Sequence, residues 1–252
     1  MSSRPANSSA ADAAAAKGTL PEQQVQAMFD RIAKRYDLMN TVMTAGLHDK
    51  WRERAADVAN IGPGSHVLDV ATGTGDLAIE LAKRVAPGGS VTGADFAEEM
   101  LAVARQKQTS VLAGVDAEVV FEQGNALDLK YDDDMFDAVT VGFGVRNFSD
   151  LAAGLKEMAR VVRPGGKFVI LEISQPQKGP LSYFYKAWFD GLVPFIGKFA
   201  GEDSAYTYLP NSVKRFARPS ELAAVLQEAG TTDVRWIALA GGIVTIHHGT
   251  VV

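Results

Sequence analysis

The feature that most constrains the fold of this chain is an alternation of strand and helix patterns between residues 66 and 173. Short runs rich in β-branched residues lie at 66–70, 90–95, 117–122, 136–142 and 167–173, and helical patterns occur between them at 76–85, 97–109 and 150–162. Neighbouring parallel strands need crossover connections, which are right-handed and usually helical. The alternation therefore predicts an α/β fold, a mostly parallel sheet with helices on both faces.

The C-terminal part of the chain predicts how this sheet ends. A helical pattern at 219–229 is followed by two strand patterns, at 233–239 and 243–249, which are joined by Ala240-Gly241-Gly242. A short connection that contains glycine between two strand patterns is typical of a hairpin. We therefore predict seven strands, with one antiparallel strand at or near the edge of the sheet.

Length and composition indicate one globular domain. The chain has 252 residues, of which 47% are hydrophobic and 22% are charged, the balance of a folded protein. Residues 1–20 are rich in Ala and Ser and are predicted to form a flexible tail, whereas 21–252 form a single domain. We expect N-terminal helices over 21–60 and, after the fifth strand, an aromatic-rich insertion over 175–218.

Charge, cysteine content and hydropathy disfavour several classes of protein. The net charge is −5, and a protein without a cationic surface is a poor partner for nucleic acid. The chain has no cysteines, and its four histidines show no metal-binding spacing, so we expect neither disulfides nor a bound metal. No apolar stretch approaches the roughly 20 residues that span a bilayer. We predict a cytoplasmic protein.

The loop after the first strand is the best candidate for a ligand site. Gly73 and Gly75 lie between this strand and the next helix, where glycine permits a tight turn and close approach of the backbone to a ligand. The run from Gly73 to Ala78 also satisfies the dinucleotide pattern G-x-G-x-x-A. The loop alone is therefore compatible with NAD and with S-adenosyl-L-methionine (SAM).

Acidic residues near this loop favour SAM. Asp76 places a carboxylate in the first turn of the helix, where it would repel a pyrophosphate. Asp69 precedes the glycines and suits a position near the positively charged sulfonium and amine of SAM. Asp95, at the end of the second strand, can accept from both ribose hydroxyls of either cofactor. Asn125 and Ala126 follow the third strand, where an adenine ring is usually hydrogen-bonded.

Five segments of the chain resemble the family of menaquinone and ubiquinone biosynthesis C-methyltransferases, over about 25–252. They are MFDRIAKRYDLMN at 28–40, DVATGTGD at 69–76, FGVRN at 143–147, LEIS at 171–174 and YTYLPNSV at 206–213. The resemblance implies a Rossmann-like class I methyltransferase fold, with SAM as the cofactor. It also implies methyl transfer to a ring carbon of a polyprenylated quinol, either demethylmenaquinol or the benzoquinol equivalent.

The resemblance also implies roles for individual residues. It makes Thr72, Asp95, Asn125 and Ala126 the contacts of the cofactor. The chain departs from the family where Thr72 replaces a frequent Gly and where Gly142 replaces a frequent Ser. The second departure removes a hydroxyl near the methionine moiety of the cofactor.

Arg146, Asn147 and Tyr36 are the predicted catalytic residues. Methylation of an aromatic carbon needs a ring held face-on and an oxyanion that is stabilised. Arg146 offers a permanent positive charge to a phenolate, although a structural salt bridge is the alternative, and Asn147 offers an amide. Tyr36 either closes the site from the N-terminal helices or only packs there. His48 has suitable chemistry for a base, but its position at a helix N-terminus favours no substrate contact, so the base is unassigned.

Ten aromatic residues fall between Tyr183 and Phe216. Each buried CH₂ group stabilises a complex by about 0.8 kcal/mol, so we expect this insertion to bind the isoprenoid tail or to contact a membrane surface transiently. The residues concerned are Tyr183, Phe184, Trp188, Phe189, Phe195 and Phe199. The alternative is that they only pack the insertion onto the sheet.

Three other functions remain open on these observations. A methyltransferase that acts on another small phenolic acceptor would have the same glycine loop. An NAD-dependent reductase would share the Gly73 to Ala78 pattern and Asp95. A non-catalytic binding module could use the same fold, because a fold does not determine a function.

Overall fold

The structure, a computed structural model, describes residues 20–174 and 203–252. Nearly all of the predicted tail at 1–20 lies outside the described residues. The same holds for most of the predicted insertion at 175–218, including the six aromatic residues expected to bind a prenyl tail. The N-terminal helices, the sheet and the C-terminal hairpin are all described.

The described elements follow one another in the predicted order. Two helices come first, α1 (Glu22–Thr44) and α2 (Leu47–Val58). The alternating region contains β1 (His66–Val70), α3 (Asp76–Val85), β2 (Gly89–Asp95), α4 (Glu98–Val111), β3 (Ala117–Gln123), β4 (Phe136–Gly142), α5 (Leu151–Arg160) and β5 (Val162–Ile173). A 3-10 turn, Val145–Asn147, lies between β4 and α5. The chain ends with α6 (Asp203–Arg215), α7 (Pro219–Glu228), β6 (Thr231–Leu239) and β7 (Val244–Val251).

The seven strands form one sheet in the order β3-β2-β1-β4-β5-β7-β6. Strands β1 to β5 pair in parallel, whereas β7 runs antiparallel to both of its neighbours, β5 and β6. The prediction of a mostly parallel seven-stranded sheet with one antiparallel strand near its edge is confirmed. The strand order reverses between β1 and β4, and in sheets of this kind ligands bind at the carboxyl ends of the strands at that reversal.

Both faces of the sheet are buried against helices. Neighbouring residues of each strand point to opposite faces, so each strand contributes to both sides of the core. In β1, Leu68 packs into a cluster with Leu155 of α5 and Leu222 of α7. The preceding residue, Val67, packs on the other face with Leu81 of α3. Helices therefore cover both faces, as the sequence predicts.

Two strands begin two or more residues earlier than the sequence indicates. The segment before Lys167 contains Pro164 and two glycines, which predicts a turn, but β5 already starts at Val162. Phe136 of β4 pairs with Val162, and Ala138 pairs with Lys167, so the register shifts between these two pairs. A bulge of this kind accommodates extra residues without ending the strand. Strand β6 likewise begins at 231 instead of 233.

Helix α1 lies over the edge of the sheet where the strands β1 and β2 end. Its buried residues Val25, Met28 and Ile32 form a cluster with Met100 of α4 and Tyr208 of α6. These contacts fix α1 against α4 and α6. Within the described parts of the chain, no helix is both long and apolar enough to cross a membrane.

The burial of individual core residues predicts how their replacement changes the free energy of unfolding. Leu155 of α5 is fully buried, whereas Leu38 of α1 is 67% exposed. Replacement of a buried leucine by alanine removes packed atoms and leaves a cavity, which costs about 2–5 kcal/mol. We expect Leu155→Ala to lower the free energy of unfolding by that amount in chemical denaturation.

Leu38→Ala is the matched control, because it makes the same change in a helix and so has the same effect on helix propensity. It should alter the free energy of unfolding by less than about 0.5 kcal/mol. Equal losses in the two variants would contradict the described core.

Candidate active site

A cleft opens at the carboxyl ends of β1 to β4, where the strand order reverses. It encloses about 670 Å³ with its open mouth included, within the range of pockets for small molecules. Six of the predicted site residues line it, namely Tyr36, Gly73, Asp95, Asn125, Ala126 and Asn147. The other four, Asp69, Thr72, Gly75 and Arg146, lie behind this surface.

Asp95 connects the glycine loop to the end of β2. Its carboxylate accepts hydrogen bonds from the backbone N–H of Gly73 (2.8 Å) and of Ala97 (2.9 Å). Burial raises the pKa of Asp95 to about 6, although backbone hydrogen bonds from Ala97, Gly73 and Phe96 oppose this shift. Asp95 also lines the cleft, so its carboxylate is placed to accept from a ligand there.

The two predicted glycines have different surroundings. Gly73 has a φ of +56°, and a Cβ atom added to it would meet nothing within 4 Å. It therefore faces the open space of the cleft. Gly75 has a φ of +81°, and its Cβ would come within 2.7 Å of the ring of Phe121. Gly75 is needed for the packing of α3 against β3, and it does not face the cleft.

The strand-end loops of β1 and β4 approach each other closely at the centre of the cleft. A Cβ atom on Gly144 would lie 2.6 Å from the Cβ of Ala71. Ala71 and Phe143 both adopt a positive φ, 51° and 58°, a conformation that costs free energy and occurs mainly where the surroundings enforce it. Small side chains and unusual backbone angles thus bring the two loops together around one ligand space.

Asp69 and Thr72 support the glycine loop from below. Thr72 donates its hydroxyl hydrogen bond to Asp69 (2.6 Å), and Thr140 donates to the other oxygen of the same carboxylate (2.5 Å). Burial raises the pKa of Asp69 to about 6. Neither residue lines the cleft, so a contact of Asp69 or Thr72 with a cofactor stays a prediction.

The sequence indicated that Asp76 would repel a pyrophosphate, and its surroundings in the structure do not support this role. Its carboxylate pairs with Arg52 (3.1 Å) and with Lys107. Lys107 also lies 2.6 Å from Asp37 of α1, which accepts a hydrogen bond from Thr74 (2.6 Å). Two cations balance the charge of Asp76 on the outer side of the loop. Its carboxylate therefore gives no reason to exclude a phosphate from the cleft.

Arg146 forms a buried salt bridge. Its guanidinium lies 2.7 Å from the carboxylate of Glu172 on β5 and also donates to the backbone carbonyl of Phe143. The side chain of Arg146 is 6% exposed and that of Glu172 is 1% exposed. The alternative of a structural salt bridge is the one that the structure shows. Arg146 holds the turn after β4 in place and does not face the cleft.

Asn147, the neighbour of Arg146, does line the cleft. Its side-chain oxygen accepts a hydrogen bond from the hydroxyl of Tyr208 (3.1 Å). Tyr36 of α1 also lines the cleft and packs edge-on against Phe29, with ring centroids 6.2 Å apart. Phe29 is in turn edge-on to Phe96 (6.5 Å). One wall is therefore aromatic and the adjoining part carries an amide.

Asn125 connects the opposite end of the cleft to α1. Its side-chain amide donates to the carboxylate of Glu22 (3.0 Å), and its oxygen accepts from the backbone N–H of Leu127 (3.0 Å). Glu22 itself lines the cleft. The first turn of α1 thus forms part of the site.

His48 is excluded as a base by its position. It is 4% exposed, and its Nδ1 lies 2.8 Å from the hydroxyl of Thr44. Its second ring nitrogen is 3.4 Å from Asp49. His48 does not line the cleft, which agrees with the expectation of no substrate contact. The described residues contain no group of three or more potential metal ligands.

Residues 17–251 match the ubiE/COQ5 methyltransferase family. The chain belongs to this family. The demethylmenaquinone methyltransferase of Bacillus subtilis (strain 168) is 42% identical to it over 229 residues, which cover 90% of this chain and 97% of the relative. The demethylmenaquinone methyltransferase of Thermus thermophilus is 45% identical over 223 residues, covering 88% and 99%.

Solved structures share the fold of this ubiE/COQ5 family member. A SAM-dependent methyltransferase from Aquifex aeolicus superposes with a TM-score of 0.59 at 22% identity, covering 80% of this chain and 89% of that one. The [4+2]-cyclase SpnF superposes with a TM-score of 0.61 at 20% identity, covering 87% and 77%. At this identity the likeness concerns the fold alone, and one fold supports different reactions.

Family membership resolves the choice between cofactors that the glycine loop left open. The chain is a SAM-dependent methyltransferase, and the reductase alternative is wrong. The residues of the cleft fit this cofactor. Gly73 leaves room for a ligand beside the loop, and Asp95 lines the cleft with a carboxylate that can accept from hydroxyls.

Several contributors to the site were not predicted from the sequence, and four of them make contacts described above. Glu22, Phe29 and Phe96 line the cleft, and Tyr208 donates to Asn147. Phe29 and Tyr208 lie within segments that resemble the family, and this was the available signal for them. Glu22 and Phe96 had no such signal, because their importance depends on how α1 lies over the sheet.

The raised pKa of Asp95 predicts a pH dependence of cofactor binding. Ribose hydroxyls donate to the ionised carboxylate, and at pH 5, below a pKa of about 6, roughly a tenth of the groups remain ionised. We expect the Kd for S-adenosylhomocysteine, the product form of the cofactor, to rise about tenfold between pH 7.5 and pH 5 in calorimetry.

The variant Asp95→Asn separates this effect from the titration of Asp69. It should bind S-adenosylhomocysteine more weakly at pH 7.5 and change its Kd by less than about threefold between the two pH values. A variant that keeps the full tenfold change would show that another group causes it.

Proposed function

We propose that this enzyme methylates a ring carbon of demethylmenaquinol. The observation that carries the proposal is the match to demethylmenaquinone methyltransferases along 97% and 99% of their lengths. The cleft supports it with a polar end for the methyl donor and an aromatic wall beside an amide for the acceptor. SAM, when bound, supplies a methyl group that is activated by its sulfonium.

We assign the polar end of the cleft to the cofactor. Asp95 would accept from the ribose hydroxyls, and Gly73 gives the backbone room to approach the ligand. Asn125 and Ala126 lie at the carboxyl end of β3 and line the same space, where an adenine ring would fit. The buried group formed by Asp69 and its two threonines keeps the loop in shape without touching the ligand.

We assign the aromatic wall to the quinol ring. Tyr36, Phe29 and Phe148 line this part of the cleft together with Asn147. Flat side chains favour a ring held in one plane, and methyl transfer needs the ring carbon at a near-attack distance of about 3–3.5 Å. The amide of Asn147 can stabilise the negative charge that develops on a ring oxygen. Arg146 contributes by fixing the turn that carries Asn147.

A direct assay tests this function. With isotopically labelled SAM, the purified enzyme should transfer one labelled methyl group to the ring of a prenylated demethylmenaquinol, as read by mass spectrometry. The same naphthoquinol without its prenyl tail should react with a kcat/KM lower by at least tenfold, because each buried CH₂ group stabilises the complex by about 0.8 kcal/mol.

Two further acceptors complete the assay. A prenylated benzoquinol tests the ubiquinone-type reaction, and a simple phenol tests the alternative of a small soluble acceptor. Equal kcat/KM values for the phenol and the prenylated naphthoquinol would contradict the proposed function.

We also infer transient contact with a membrane surface, where a prenylated substrate resides. Three exposed apolar residues lie near the junction of α1 and α2, Leu38 (67% exposed), Val42 (48%) and Leu47 (44%). Lys34 and Lys50 are exposed on the same two helices. Apolar side chains beside lysines favour binding to an anionic lipid surface. Leu38, Val42 and Leu47 form the apolar patch that we assign to the membrane contact.

Flotation with phosphatidylglycerol vesicles tests this contact. The double variant Leu38→Gln, Val42→Gln should float at least threefold less than the parent protein, because two apolar side chains no longer enter the lipid. Val111→Gln on α4, where the valine is 45% exposed, is the control and should float like the parent. Equal flotation of all three proteins would remove the patch from membrane binding.

A further inference from the structure

Tyr208 reaches the active site from α6, which follows the segment outside the described residues. It is 4% exposed and packs with Val25, Met28 and Ile32 of α1. Its hydroxyl lies 3.1 Å from the side-chain oxygen of Asn147. Tyr208 does not itself line the cleft, so any effect on the reaction must pass through Asn147.

The hydroxyl of Tyr208 is the donor in this hydrogen bond, and the side-chain oxygen of Asn147 is the acceptor. Burial raises the pKa of Tyr208 above its usual value, although the positive charge of Arg146 opposes the shift. The phenol therefore keeps the proton that it donates at physiological pH. The acceptor on Asn147 is its carbonyl oxygen, because the NH₂ group of an amide only donates.

Occupation of the carbonyl oxygen determines what Asn147 presents to the cleft. An amide has one oxygen and one NH₂ group, and the oxygen is directed at Tyr208. The NH₂ group then faces the cleft, and no residue in the described part of the chain accepts a hydrogen bond from it. A flipped amide would present its oxygen to the ligand instead.

This orientation matters for the chemistry of the proposed reaction. A quinol ring carbon becomes nucleophilic when a neighbouring ring oxygen carries negative charge. An NH₂ group stabilises that oxygen, whereas a carbonyl oxygen repels it. Arg146 does not line the cleft, and its Nη1 is directed at Glu172 and at the carbonyl of Phe143.

We propose that Tyr208 is a positioning residue that holds the Asn147 amide with its NH₂ group towards a ring oxygen of the methyl acceptor. The inference rests on the proposed function, since it assumes a quinol in the aromatic part of the cleft. It adds Tyr208 of α6 to the residues that determine the geometry of the site.

Tyr208→Phe tests the inference, because it keeps the ring and removes the hydroxyl. We expect kcat with prenylated demethylmenaquinol to fall about tenfold, and the Kd for S-adenosylhomocysteine to stay within twofold. The acidic limb of the kcat–pH profile should move upward by about one pH unit, because ionisation of the bound quinol is less supported. A merely structural role would not move this limb.

Two variants of Asn147 show whether Tyr208 acts through it. Asn147→Ala should lower kcat at least as far as Tyr208→Phe does, and adding Tyr208→Phe to it should change kcat by less than twofold. Asn147→Asp keeps an acceptor for Tyr208 but lacks the NH₂ group, so its kcat should be as low as that of Asn147→Ala.

Tyr131→Phe is the matched control for loss of a tyrosine hydroxyl. The hydroxyl of Tyr131 donates to Glu122 (2.6 Å) away from the cleft lining. This variant should keep the parent kcat, pH profile and affinity for S-adenosylhomocysteine. Thermal unfolding of every variant confirms that the fold is retained.

The outcomes distinguish the inference from the proposed function. If the parent enzyme methylates demethylmenaquinol and Tyr208→Phe matches its kcat and pH profile, the inference alone is wrong. Losses that multiply in the double variant would show that Tyr208 acts independently of Asn147, which also overturns it. A parent enzyme that does not methylate demethylmenaquinol contradicts the proposed function and the inference with it.

Discussion

The carboxylate of Asp95 holds the glycine loop at the end of β2, and the shape of the cleft depends on this contact. It accepts from the backbone N–H groups of Gly73 and Ala97, so it joins the first strand-end loop to the start of α4. Its folded-state pKa of about 6 lies above that of an unfolded aspartate. The folded protein therefore binds more protons than the unfolded one between the two pKa values, and stability falls as the pH rises from about 4 to about 6. Ionisation of Asp95 at neutral pH therefore lowers the stability of the folded protein, and the ionised carboxylate serves ligand binding.

The architecture could be predicted from the sequence because it follows from periodicity. The spacing of strand and helix patterns gave the parallel sheet, and a glycine-containing connection gave the antiparallel strand. The errors occurred at strand ends. Pro164 and the glycines before Lys167 have the composition of a turn, but pairing with β4 continues across them through a bulge. Whether a strand ends at such a segment depends on its neighbour in the sheet, which local sequence does not record.

The site was predictable where a residue lies at the end of a strand or within three residues after it. Gly73, Asp95 and Asn125 each occupy such a position, and parallel strands bring these ends to one edge of the sheet. Charged residues were harder to place, because their roles depend on partners distant in the chain. Arg146 is held by Glu172, 26 residues later, and Asp76 by Lys107, 31 residues later. A sequence gives the charge of a side chain but not the counter-ion that satisfies it.

Helix α1 forms part of the hydrophobic core and also part of the cleft wall. Near its beginning Glu22 accepts from Asn125, and further along Asp37 accepts from Thr74 beside the glycine loop. Between these two contacts lie Phe29 and Tyr36, which face the ligand space. Displacement of α1 from the sheet would break both hydrogen bonds and would carry these two aromatic rings away from the other lining residues. The shape of the ligand space therefore depends on how a single 23-residue helix is seated on the sheet.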